Sequence, residues 1–342
     1  INNGSPARQL HITDTIANGG ASLGLTSSDS STTGSLGIIH FGNNTDSSLA
    51  SIGGLADGST SAGALLFKTE AAGGAIEERF RISSDGSLST KTLGTSNVRF
   101  GVNAGNSIAS GGNFNTVVGD EAGTALSTGD TNTFVGYAAG DAVNTSSSNV
   151  AVGHNALTSD VKGSFSVAIG KDALETQSFS TATNAYNTAV GQAAGQSITT
   201  GLQNTLIGSL AGDALTDADD NVAIGVVALT ADTLGSRSVA VGRGTLGAQN
   251  FTTATNTYNV AVGYDAGAAV TTGVQNTLIG GAAGDSLTTG DSNVVMGYNA
   301  LGNDQQGDNN VAIGHEALST QRFTTNTDSY NVAVGYRAGY VL

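Results

Sequence analysis

The chain has no cysteine, no tryptophan, one proline and one methionine in 342 residues. Without cysteine there is no disulfide framework and no thiolate chemistry. The near absence of proline beside 50 glycines excludes a collagen-like helix and a Pro/Gly-rich disordered segment. Charged residues make up 11% and aromatic residues 5%, too few for a salt-bridged helical array or a core of large side chains. Twelve Lys and Arg stand against 27 Asp and Glu, for a net charge of -15. That balance excludes a nucleic-acid backbone or an anionic membrane surface as partner, because both need clustered cations. No apolar run approaches the ~18 residues of a membrane span, and no signal-peptide pattern is visible.

What is present is glycine at fixed places, with Ser, Thr, Asn, Ala and Val filling the rest. These residues favour turns and strands over helices, so the fold class expected is all-β. From residue 97 onward a pentapeptide Asn-(Val/Thr)-x-(Val/Ile)-Gly recurs, followed by two variable residues and then Ala-Gly or Ala-Leu. Its glycines are Gly101, Gly119, Gly136, Gly153, Gly170, Gly191, Gly208, Gly225, Gly242, Gly263, Gly280, Gly297, Gly314 and Gly335. Coils of 17, 17, 17 and 21 residues make a 72-residue superrepeat, in which two coils end in Ala-Gly (Ala194-Gly195, Ala211-Gly212) and two in Leu (Leu229, Leu246).

A 17-residue period is too short for a pair of helices. In Asn221-Val222-Ala223-Ile224-Gly225, Val222 and Ile224 share one face and Ala223 takes the other, the alternation of a strand. The Ala-Gly or Ala-Leu segment reads as a second short strand. The Thr-Gly-x-x-Asn stretches, such as Thr200 to Asn204, read as the turn closing the coil. The expectation is a parallel β-roll or β-solenoid of about 14 coils, each glycine stacked on the one before where positive φ or close backbone approach excludes a Cβ. Stacked Asn side chains are expected to ladder along the turn. No coil stands alone, since its neighbours supply ladder hydrogen bonds and shared core. Because that core is thin, several chains are expected to share it.

The phrases Asn221 to Gly225, Asn310 to Gly314 and Ser166 to Gly170 resemble the head repeats of trimeric autotransporter adhesins of the YadA type, although the coils are longer here. That resemblance implies a parallel β-roll built by three chains, intertwined or side by side. Gly63-Ala64-Leu65-Leu66-Phe67-Lys68-Thr69 and Glu77-Glu78-Arg79-Phe80-Arg81-Ile82-Ser83-Ser84-Asp85-Gly86 resemble a phrase near the distal end of bacteriophage tail fibres, where a self-cleaving chaperone domain often follows; no such domain is in this sequence. The tail-fibre resemblance implies a homotrimeric virion fibre that contacts a host-surface glycan or protein. The alternatives are a trimeric adhesin head in an extracellular or cell-surface setting, and an ice-binding solenoid.

Residues 1 to 96 do not follow the repeat. Short apolar or alternating runs at 21–26, 34–42, 49–52, 62–69 and 78–82, separated by Gly, Ser, Asn and Asp clusters, point to a small antiparallel β-domain acting as cap or collar. The solenoid is assigned to residues 97–342.

Sites are few. His154 and His315 directly follow the motif glycine, where other coils carry Lys171, Val226, Arg243 or Tyr298, so they read as a variable outward position; His11 and His40 complete the set. Asp217, Asp219 and Asp220 form the densest acidic group and read as a solvated turn. No metal site is expected. No Ser-His-Asp, paired-carboxylate or phosphate-loop pattern occurs, so no enzyme, catalytic residue or cofactor is expected. The long fourth coils carry Leu-x-x-Gln-x-Phe-x-Thr-x-Thr-x-x-Tyr, and their Phe179, Tyr186, Phe251, Tyr258, Phe323 and Tyr330 are the candidates for surface binding or inter-chain contact.

Overall fold

The computed structural model describes residues 35–41, 49–57, 62–70 and 74–341, and it divides into compact units 1–91 and 92–342. The run at 21–26 and His11 lie outside the described residues. The first unit is an antiparallel meander of five strands in sequential order: β1 (Ser35–Phe41), β2 (Ala50–Ala56), β3 (Gly63–Glu70), β4 (Ile76–Ile82) and β5 (Leu88–Thr90). Four of these strands fall on runs read from the sequence. β5 was missed because Leu88-Ser89-Thr90 is too short to show a period.

The second unit is a solenoid. Every pentapeptide contributes one three-residue strand, and the strands join in chain order into a single parallel sheet of 14 from Val98–Phe100 to Val332–Val334. Register is strict: Val222, Ala223 and Ile224 pair with Val239, Ala240 and Val241. Coiling begins before residue 97, since the Phe114 N–H already donates to the Thr95 carbonyl at 2.9 Å.

The second strand expected in each coil does not form. After the motif glycine the backbone runs through turns in which left-handed residues recur, for example Leu210 (φ 57) and Gly212 (φ 57). Its N–H groups still reach neighbouring coils: Leu210 donates to the Gln192 carbonyl and Gly212 to the Ala228 carbonyl, both at 2.9 Å. Coil-to-coil bonding therefore continues around the turn without a pleated strand, which satisfies buried backbone groups. Even β-branched Val227 is held at φ 52, in a region costly for such a residue, while its N–H bonds the Ser209 carbonyl. Among the described residues, two-residue ladders appear only beside the long coils, where Gly163–Ser164, Gly235–Ser236 and Gly307–Asp308 pair with Thr183–Asn184, Thr255–Asn256 and Thr327–Asp328.

The glycine column behaves as expected. Gly280 has φ 136, and a Cβ there would lie 2.6 Å from the Gly297 carbonyl oxygen in the next coil. The asparagine ladder runs mainly between side chain and backbone. Asn204 Oδ1 accepts the Asn221 N–H at 3.0 Å, and Asn204 Nδ2 donates to the Ala218 carbonyl at 2.7 Å. The buried amide thus uses its oxygen toward one neighbouring coil and its nitrogen toward the following turn, which keeps both polar atoms satisfied.

Inside the coil the core is small. The strand centre points inward, so Ala223, Ala240 and Leu206 are buried while their Val and Ile neighbours face out. Volume is shared between two further inward positions. Where the strand centre is Leu206, the coil carries Gly212 and Leu215; a Cβ on Gly212 would stand 2.8 Å from both leucines. Where the centre is Ala223, the coil carries buried Leu229 and Asp232 instead. The Ala-Gly and Ala-Leu coils therefore differ because one large side chain per layer moves across the core, keeping it close-packed.

Candidate functional site

Left-handed backbone brackets each strand and sets what the solenoid exposes. The residue before each motif Asn lies in the left-handed region, as at Tyr186, Tyr258 and Tyr330 with φ of 52, 52 and 49, so the Asn turns inward while its predecessor stands at an edge. On the other edge, the residue after the motif Gly is free to vary.

The six fourth-coil candidates do not share one environment. Phe179 and Phe251 are only 5% and 7% exposed, whereas Tyr186, Tyr258 and Tyr330 are 51%, 49% and 67% exposed. Phe323 is half-buried. The phenylalanines turn inward because the inserted loop folds over the preceding coil: a Cβ on Gly163 would meet the Phe179 ring at 2.8 Å, and the Phe251 N–H donates to Asp232 Oδ1 at 3.0 Å. The tyrosines point out and pair along their own column. Tyr186 stacks on Phe165 with centroids 5.3 Å apart, and Arg237 Nη1 donates to the Tyr258 hydroxyl at 3.0 Å.

The column after the glycine carries a second exposed set. Tyr137 stacks on His154 at 5.3 Å, Tyr298 lies tilted against His315 at 5.3 Å, and His315 is tilted against Tyr336 at 5.5 Å. Arg243 Nη1 donates to the Tyr264 hydroxyl at 3.2 Å. One coil rise of ~4.8 Å puts like positions at ring-stacking distance, so any two aromatic residues a coil apart must touch. Both histidines thus belong to an exposed aromatic column. Tyr137, Tyr264 and Tyr336 were overlooked in the sequence, yet aligning coils on the glycine brings them into line.

Charges are paired locally. Lys171 Nζ lies 2.9 Å from Asp172 Oδ2; burial pushes the Asp172 carboxyl up, but the hydrogen bond and charge of Lys171 outweigh it and hold the group below its ordinary value. In the acidic group, Asp217 Oδ1 accepts the Thr200 hydroxyl at 2.6 Å, Asp219 Oδ1 accepts the Leu202 N–H at 2.8 Å, and Asp220 lies 3.5 Å from Arg237. These carboxylates brace neighbouring coils. Among the described residues no group of three or more His, Cys, Asp or Glu is placed to hold a metal ion.

The least expected chemistry is buried. Asp160, Asp232 and Asp304 stand inside the coils with no exposed surface. Gln177 Nε2 donates to Asp160 Oδ2 at 2.7 Å and to Ser166 Oγ at 2.9 Å, while Gln177 Oε1 accepts from Asn187 Nδ2 at 2.9 Å. Gln249 makes the same contacts to Asp232, Ser238 and Asn259. The glutamine spans the point where serine interrupts the asparagine ladder, so the polar groups stay satisfied. This network has a scaffold role and offers no open site. Comparison of the chain with protein-family models, with curated proteins and with solved structures finds no match to any of them, so the fold and these exposed columns carry the functional argument.

Proposed function

We propose that this chain is a structural segment of a bacteriophage tail fibre, a homotrimer that projects a surface for attachment to a host-cell glycan or protein. The observation that carries this reading is the division of labour within each coil. Gly, Asn and Ala hold the inside nearly constant, while the two edge positions vary freely and expose Tyr, His, Arg and Lys. Such a scaffold presents recognition groups at a fixed axial spacing without spending any on catalysis. Exposed tyrosines suit a sugar ring or a protein surface, since they combine a large apolar face with a polar tip.

The tail-fibre phrases at residues 63–69 and 77–86 support the virion placement over the adhesin head. Residues 1–96 would then serve as a collar. An ice-binding role is disfavoured because the outward Thr positions, such as Thr205 and Thr277, are interrupted by Val222, Val239 and Val260.

Labelling with an antibody against residues 97–342, followed by electron microscopy of the source culture, tests the reading. Gold on tail fibres is expected. Gold confined to bacterial envelopes overturns it in favour of the adhesin. Light scattering on the purified chain checks the three-chain assembly, and a monomer overturns that part.

A further inference from the structure

We propose that the gap left by Gly281 between Tyr264 and Tyr298 is a binding slot for one neutral sugar ring, a terminal or branching pyranose of a host-surface glycan. The proposal rests on the attachment reading above and names where the glycan is held.

Fourteen residues follow the motif glycines, and Gly281 is the only glycine among them. The column is continuous on both sides of it. On one side the Arg243 guanidinium lies over the Tyr264 ring, 5.5 Å from its centroid, and Nη1 donates to the Tyr264 hydroxyl at 3.2 Å. On the other side His315 is tilted against Tyr298 at 5.3 Å, and Tyr336 against His315 at 5.5 Å. Each of the two tyrosines therefore has one face covered by the column and the other turned toward Gly281. Both rings are exposed, 60% for Tyr264 and 59% for Tyr298. Apart from chain neighbours, a Cβ on Gly281 would meet only Tyr298 Cδ2 within 4 Å, at 3.6 Å. Two coil rises separate the tyrosines, roughly 10 Å. A ring seated midway lies about 5 Å from each, the distance at which rings pack on aromatic faces.

The backbone supplies a polar group to orient that ring. At the start of the same column the Val102 N–H donates to Asp120 Oδ1 in the next coil at 3.0 Å, so the N–H at this position reaches toward the side chain of the next rung. The donor that reaches toward the Gly281 rung is the Tyr264 N–H, and among the described residues it has no acceptor. The occupant must then combine apolar faces on both sides with an acceptor at its rim. A pyranose does so, with C–H groups on its faces and hydroxyl and ring oxygens around its edge. An aromatic side chain of a protein receptor fills the space but sets a ring C–H against the amide donor. An acidic sugar gains nothing, because the cation beside the slot, Arg243, already bonds the Tyr264 hydroxyl and lies 3.7 Å from Asp265.

The slot can be filled by the chain itself. Gly281 lies outside the left-handed region, and tyrosine takes the same place one coil on at Tyr298, so Gly281→Tyr inserts a ring without backbone strain. Ser209→Tyr adds the same ring elsewhere in the column. The wild type, Gly281→Tyr, Tyr298→Ala and Ser209→Tyr are applied to an array of neutral, uronic-acid and sialylated glycans, with circular dichroism to confirm folding. The wild type is expected to bind neutral glycans. Tyr298→Ala should weaken that binding about tenfold through loss of one stacking face, Gly281→Tyr should abolish it, and Ser209→Tyr should leave it unchanged. Binding that survives Gly281→Tyr, that falls equally in Ser209→Tyr or that favours the acidic glycans overturns the slot and leaves glycan attachment standing. If Gly281→Tyr does not fold, undiminished binding by Tyr298→Ala overturns the slot in its place. A wild type that binds no glycan also overturns the slot, while gold labelling of the fibres still decides the tail-fibre reading.

Discussion

Gln177 donates a 2.7 Å hydrogen bond to Asp160, a carboxylate with no exposed surface. No cation lies near enough to form an ion pair with Asp160 among the described residues, so amide and backbone N–H groups carry the whole burden of burying it. Removing one partner leaves a buried acceptor unmet, at about 1–3 kcal/mol. Gln177→Ala and Gln249→Ala are each expected to lower stability by about that amount in urea unfolding followed by circular dichroism. Gln177→Glu sets a second carboxylate against Asp160 and should cost more at neutral pH, with the deficit shrinking in acid.

Acid should stabilise the solenoid down to a limit. Burial pushes the carboxyls of Asp141, Asp160, Asp219, Asp285 and Asp308 above their ordinary value. A raised folded pKa contributes stability that is full below the unfolded value of 3.8 and is lost as pH rises through the folded value. Asp172, held low, works in the opposite sense, but its contribution disappears only below about pH 4. The melting temperature is therefore expected to rise as pH falls from neutrality toward the ordinary carboxylate value of 3.8, aided by relief of the net negative charge. A melting temperature that falls steadily across that window contradicts the assignment.

Adjacent glycines should respond oppositely. Gly280 has φ 136 with the next coil's backbone at its missing Cβ, whereas the nearest atom to a Cβ on Gly281 is Tyr298 Cδ2 at 3.6 Å, an ordinary contact. Gly280→Ala is expected to cost about 2–4 kcal/mol through strain and displacement of a ladder carbonyl. Gly281→Ala is expected to be neutral or to stabilise by about 0.4–1 kcal/mol by restricting the unfolded chain. Paired denaturation curves decide the point.

This contrast shows what a sequence of this kind makes legible. The period, the parallel ladder and the glycine column could be read because backbone crowding recurs at one residue type, from Gly101 to Gly335. The second strand was misread because alternating right- and left-handed turns also send successive side chains in different directions, so Ala211 and Leu215 imitate a pleat. Phe179 and Tyr186 looked equivalent as aromatics, yet the left-handed backbone at Tyr186 sends it out while the loop seats Phe179 over Gly163. Asp160 went unnoticed because its column was not aligned. Setting Leu215, Asp232, Gln249 and Val270 in line exposes two polar residues in an otherwise apolar track. What faces outward on the strands was visible only as alternation, since nothing in Val222-Ala223-Ile224 says that the smallest residue is the one inside.

The three superrepeats offer an internal comparison that predicts a stabilising change. Asp141 Oδ1 accepts the Thr158 hydroxyl at 2.9 Å, and Asp213 Oδ1 accepts the Thr230 hydroxyl at 2.5 Å, in each case from the next coil. The third copy has Asp285, but the residue one coil on is Gly302, and Asp285 Oδ1 is buried without a partner. Gly302 is not in the left-handed region; a Cβ there would meet the Asn299 side-chain amide, which can swing away, and the Asn299 carbonyl oxygen at 3.2 Å, which must give by a few tenths of an ångström. Gly302→Thr supplies the missing hydroxyl and restricts the unfolded chain, for a combined gain of about 1–2 kcal/mol. Gly302→Ala separates the two effects: it gives the restriction without the hydrogen bond, so the threonine variant should be the more stable by about 1 kcal/mol. Equal stability of the two variants in urea unfolding would show that Asp285 does not take up the Asp141–Thr158 geometry.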